Sequence, residues 1–150
     1  MHKHHYGALL IMTVLSFISM YVLMYAMVDR FENVYPNINQ FYMAGLMTAP
    51  MVIIEVLLMG SMYQNKAANI GIIVGAGIGV IVFFSLIRQQ TAVADVQFLK
   101  SMIPHHSGAI LMCEKAPIQD SEIKELCRTI IKSQQSEIDQ MKKKLAALQK

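Results

Sequence analysis

The chain has 150 residues, 55% of them hydrophobic, and a mean hydropathy of +0.42, which excludes an ordinary soluble domain and points to a bilayer. Its net charge of +3 comes mainly from basic residues after position 99 that are mixed with acids along a helical pattern, so no nucleic-acid footprint is present. Thirteen methionines and no tryptophan leave tyrosine as the interfacial aromatic and make methionine an unusually large part of the apolar content.

Three apolar segments, Ala8 to Val28, Phe41 to Tyr63 and Ile70 to Ile87, reach the roughly 20 residues that a helix needs to cross lipid. The first follows a short basic start, MHKHHYG. Its apolar run is too long for a signal-peptide core and no A-x-A-like cleavage site follows, so it reads as a retained transmembrane helix. Lys3 and Lys66 on one side against Arg30 on the other favour a cytoplasmic N-terminus, and three crossings then put the C-terminus outside; Arg88 argues the other way.

Along the second span Met43, Met47, Met51, Glu55 and Met59 recur every four residues. An ionisable group inside a span usually faces protein or water, which makes Glu55 a functional candidate. Met47, Met51 and Met59 with Glu55 form either a conduit for soft cations or adaptable packing, and packing is the favoured reading because methionine fills irregular helix interfaces. In the third span Gly71, Gly75 and Gly79 form a small-residue face for close helix packing, within the chain or across an oligomer.

From Thr91 the pattern becomes amphipathic. Ala94, Phe98, Met102, His105/His106, Ala109 and Met112/Cys113 fall on one helical face, KAPIQD breaks the pattern, and Asp120 or Ser121 caps a second helix reaching about Leu148. The expected element is an antiparallel hairpin, too small to bury much alone and completed to a four-helix bundle by a second copy. Equal rise along both helices sets Met102 to His106 level with about Ile131 to Gln135, near Gln134, Glu137 and Met141. Buried His, Gln, Glu and Met need partners, and imidazole with thioether suits copper, drawn toward Cu(I) or Ag(I). The bland alternative is interfacial histidines and core methionines. Adjacent His105 and His106 point about 100° apart and do not normally grip one ion. Pro104 either interrupts a helix or stands in the first turn of one capped by Ser101. A Cys113 to Cys127 disulfide is conceivable but not favoured. No di-iron E-x-x-H or zinc-protease H-E-x-x-H occurs, so an enzyme is not expected.

FLKSMIPHHSGAILM followed by IIKSQQSEIDQM resembles the domain of unknown function 305 family over Asp95 to about Leu145, and the spans resemble those of a membrane-anchored, three-span branch. The resemblance implies a helical, periplasm-facing domain associated with copper or silver tolerance. Carried over by position, the motif residues are Asp95, Met102, His105, His106, Met112, Gln134, Glu137 and Met141, with Ser107 departing from the Gln that members often have. The expected whole is therefore an all-α protein with a three-span domain at 1–90 and a hairpin domain at 91–150, set in a bacterial inner membrane. It is expected to oligomerise with itself and to bind copper for sequestration, or for handover to copper-efflux or other copper-handling proteins. The competing expectation is an assembly protein whose hairpins form a metal-free scaffold.

Overall fold

The computed structural model describes residues 3–149, with Lys3 and His4 described in backbone only. The fold is all-α: α1 (Lys3–Leu23), continued by a 3-10 turn Met24–Met27, then a second 3-10 turn Phe31–Asn33, α2 (Ile38–Leu58), α3 (Lys66–Gln89), α4 (Asp95–Lys115) and α5 (Ser121–Leu148). Three stretches, His5–Met27, Ile38–Leu58 and Lys66–Gln89, are long and apolar enough to cross a membrane.

The chain forms two compact units. The first comprises the chain up to Met24 together with Asn39–Thr91. Its helices bury little: α2 turns Tyr42, Ala44, Gly45, Thr48, Val52 and Val56 inward, whereas the side chains of α3 all keep some exposure. That suits a solvent of acyl chains, in which outward apolar side chains cost nothing. The tip of the Phe83 ring of α3 stands against Gly45, where an added Cβ would lie 2.7 Å from Cε1, so any larger residue there would force the ring to move.

The second unit comprises Tyr25–Ile38 and the chain from Ala92 onward. Its core is Leu99, Ile103 and Ile110 of α4 against Ile138 and Leu145 of α5, flanked by Val96, Ile131, Met141 and Tyr35. Asp120 caps α5 by accepting from the Glu122 and Ile123 amides, both at 2.9 Å, as its position before the helix requires. The expected inward face of α4 is corrected by one residue. Leu99, Ile103, His106 and Ile110 are buried, while Phe98 and Met112 are 50% and 53% exposed. Both stripes repeat at 3.5 residues, and the one with Leu99, Ile103 and Ile110 packs because its large aliphatic side chains remove more apolar surface from water.

Pro104 lies in the interior of α4, not in a first turn. Without an N–H it leaves the Lys100 carbonyl without its helical donor. The loop before α2 supplies one: Asn37 Nδ2 reaches Lys100 O at 3.4 Å, and Ser101 Oγ donates to Asn37 Oδ1 at 3.2 Å. One turn on, Ser107 Oγ donates to Asp29 Oδ1 and accepts from the Asp29 amide at 2.8 Å, and Asn33 Nδ2 donates to Asp29 Oδ1 at 2.7 Å. The segment that joins the first two spans is thus docked along α4.

Cys113 and Cys127 are disulfide-bonded, with Cα atoms 5.2 Å apart, so the expectation that disfavoured this bond is corrected. The physical reason is register. Side chains on antiparallel helices lean toward opposite ends, which shifts the facing pairs from those that equal rise assigns and brings Cys127 onto Cys113.

Candidate metal-binding site

α4 has three faces, because residues at spacings of three and four return to one side of a helix. One face packs on α5, and a second carries Ser101, Ser107 and Gly108 under the docked loop. The third carries Phe98, His105 and Met112, which are exposed, with Met102 and Ala109 half-buried along it. Antiparallel packing puts Ile123, Leu126 and Ile130 of α5 on that same side, where Ile123 and Leu126 are exposed.

His106 sits where the first face meets the third. Its ring is buried and bound at both nitrogens: Nδ1 lies 3.0 Å from the Met102 carbonyl and Nε2 2.7 Å from Glu137 Oε2. A carbonyl oxygen only accepts, so Nδ1 carries a proton. The Nε2 hydrogen bond joins an imidazole nitrogen to a carboxylate oxygen at the edge of the hairpin, with the Glu137 side chain 50% exposed. This pair corrects the expected register: His106 meets Glu137 rather than residues 131–135. One turn further along each helix the same pairing sets Met102 in register with Met141, both half-buried.

The structure therefore joins His106 to Glu137, with the Met102 backbone carbonyl on the other ring nitrogen and Met141 packed against the neighbouring core. It leaves the others apart. His105 is exposed on the third face, its ring centroid 6.1 Å from that of His106. Met112 lies on the same open face, Gln134 is half-buried one turn nearer the hairpin tip, and Asp95 stands in the first turn of α4, where an acid complements the helix dipole. Among the described residues no three His, Cys, Asp or Glu side chains converge as a metal cluster, so a complete site from this chain has to draw on the thioethers.

Along α2, Met43 and Met47 are partly exposed, Met51 is half-buried and Glu55 receives the Tyr63 hydroxyl at 3.5 Å, while Met59, partly exposed, lies in the turn just past the helix. Gly79 approaches Ala49 of α2, Gly75 lines a groove of about 450 Å3 among the three spans, and nothing lies within 4 Å of a Cβ placed at Gly71 or Gly75.

Sequence reasoning missed Asp29, Asn33 and Asn37, which read there only as loop residues. Asp29 is buried to 4% side-chain exposure. Burial pushes its carboxyl upward, but the hydrogen bonds from Ser107 and Asn33, with Arg30 beside it, outweigh that and hold it below its ordinary value. The available signal was Pro104: a buried helix interior lacking one N–H demands a donor from elsewhere.

The fold and this pair define a class, an all-α protein with three helices long and apolar enough to cross a membrane and a helical hairpin with a His–Glu pair. Residues 84–145 match the family model described as "Domain of unknown function (DUF305)". The chain is also 34% identical over 136 residues to an uncharacterized protein of Acanthamoeba polyphaga mimivirus, covering 89% of this chain and 88% of that one. An alignment of that length runs through the spans as well as the hairpin. The chain belongs to the DUF305 family. No solved structure matches it.

Proposed function

We propose that the protein is a membrane-anchored copper- or silver-binding protein, which holds the metal outside the cytoplasm for sequestration or handover without catalysis. The observation that carries this reading is the state of His106. Metal-binding imidazoles commonly donate one N–H to a backbone carbonyl, which fixes the ring and aims the other nitrogen. Here Nδ1 is held by the Met102 carbonyl and Nε2 is aimed at Glu137. A cation that takes the place of the hydrogen-bonding proton would find an imidazole nitrogen, a carboxylate oxygen and, one turn away, the thioethers of Met102 and Met141. The nitrogen and oxygen alone would suit Cu(II), and the sulfurs draw the site toward Cu(I) or Ag(I).

The Cys113–Cys127 disulfide supports a hairpin on the oxidising side of the membrane, which in a bacterial cell is the periplasmic face of the inner membrane with the N-terminus cytoplasmic. Three crossings put the loop at 28–37 on that same side, in keeping with its docking on α4. Titration of the detergent-purified protein with Cu(I) against a competing chelator tests the reading. His106→Ala is expected to weaken binding and His105→Ala to leave it nearly intact; unchanged affinity in the double variant removes the basis for the site.

The open face of the hairpin favours a second reading, in which the protein assembles with itself. Phe98, Met112, Ile123 and Leu126 are large, apolar and exposed together, and a 3.5-residue stripe is the pattern that receives another helix. As a metal-free scaffold the protein would keep its oligomeric mass after chelation and lose it in Phe98→Glu/Leu126→Glu.

A further inference from the structure

The tip of the hairpin holds a second set of sulfur donors. Cys113 and Cys127 wall a recess of about 220 Å3 together with Ala116, Ile118, Lys124 and Arg128. Both cysteines are only half-buried, so the bond is within reach of a reagent from solvent. The surroundings are also loosely held. Every side chain of α4 beyond Ile110, and of α5 before Ile138, keeps some exposure, and segments with few buried contacts open locally at low cost. Lys124 lines the recess, and Arg128, though paired with Glu125, lines it too. Nearby cations favour thiolate over thiol.

We infer that Cys113–Cys127 is an exchangeable redox pair whose reduced form is a dithiolate site for a soft monovalent cation, Cu(I) or Ag(I), separate from His106. The reductant is an external dithiol. One of its thiolates attacks a hairpin sulfur, the S–S bond breaks and a mixed disulfide forms. The second external thiol then displaces the remaining hairpin sulfur. Two electrons and two protons pass to Cys113 and Cys127, and the external dithiol leaves as a disulfide. A soft cation next displaces both thiol protons and is held by two thiolates, the donor type that selects Cu(I). Oxidation closes the site, so metal capacity at the tip follows the redox poise of the compartment.

The test uses the full chain in detergent. The protein is treated with dithiothreitol without denaturant, desalted anaerobically, and titrated with Cu(I) against bicinchoninate alongside untreated protein. Iodoacetamide labelling with mass spectrometry reports the thiols. Both cysteines are expected to label after reduction, and the reduced protein is expected to take up one more equivalent of Cu(I) than the oxidised one. Cys113→Ser/Cys127→Ser should show the same uptake before and after reduction, equal to that of oxidised wild type. His106→Ala should keep the redox-dependent equivalent, which separates this site from the one above. Cysteines that resist labelling in the folded protein, or equal uptake in both redox states, would overturn the inference.

Discussion

Two polar pairs in the hairpin unit look alike in outline and differ in what they can do. Asp29 with Ser107 joins the docked loop to α4, and Glu137 with His106 joins α5 to α4, each as a carboxylate meeting a buried polar group. The Asp29 side chain is 4% exposed, with Ser107, Asn33 and its own amide accounting for its surroundings, whereas Glu137 is half-exposed. The first arrangement is closed on itself and can only hold. The second is half open to solvent, which is what the proposed cation site needs. Accessibility, rather than the identity of the residues, separates a fastener from a candidate ligand.

The contrast is sharpest in stability. Asp29→Ala leaves the Ser107 hydroxyl and the Asn33 amide buried without their acceptor and is expected to cost about 3 kcal/mol, read as a lowered unfolding temperature in detergent. A loss below about 1 kcal/mol would show that the loop docks without this contact. The sign of the pH dependence follows from the depressed carboxyl. Its stabilisation is fully present above the ordinary carboxylate value of about 3.9 and is lost as pH falls through the lower folded value. Asp29→Asn should flatten the acid limb of the stability profile and leave the neutral region without a slope from this group.

Next in size is metal affinity. His106→Ala should weaken Cu(I) binding by at least about tenfold, and Glu137→Gln by roughly the lower part of the 10–100-fold range typical of groups that tune a ligand; chelator competition reads both. Asn37→Ala, which strips the Lys100 carbonyl of its donor, should cost about 1 kcal/mol with no change in metal affinity. Smallest is the stability effect of Glu137→Ala, below about 1 kcal/mol because the carboxylate is half in water. A Glu137 variant that unfolded as readily as Asp29→Ala would erase the distinction between the two pairs.

The helices were legible because hydropathy and capping are local signals. Three apolar runs, the break at KAPIQD and Asp120 before an amphipathic stretch each carry their own physics, and all-α organisation followed from them. The face of α4 was not legible. Leu99, Ile103, His106 and Ile110 compete with Phe98, Met102, His105, Ala109 and Met112, and both sets satisfy the same period, so only the partner helix decides between them. That ambiguity also hid which histidine turns inward. The motif residues did contain His106, Glu137, Met102 and Met141, but their pairing depends on how side chains lean between antiparallel helices, which equal-rise levelling ignores. Asp29, Asn33 and Asn37 were lost for another reason. Small polar residues in a loop are what any turn would use, and their role appears only against Ser107 and Pro104.

Pro104 carries a practical consequence for anyone wishing to study the water-exposed part by itself. A fragment trimmed to begin at residue 92 would omit Asn37 and Asp29, leaving the Lys100 carbonyl and Ser107 bare on a helix that was built to be finished by a distant piece of chain. During biosynthesis that piece leaves the ribosome well before the helix it completes, so the loop ahead of α2 waits for its groove until α4 has been made.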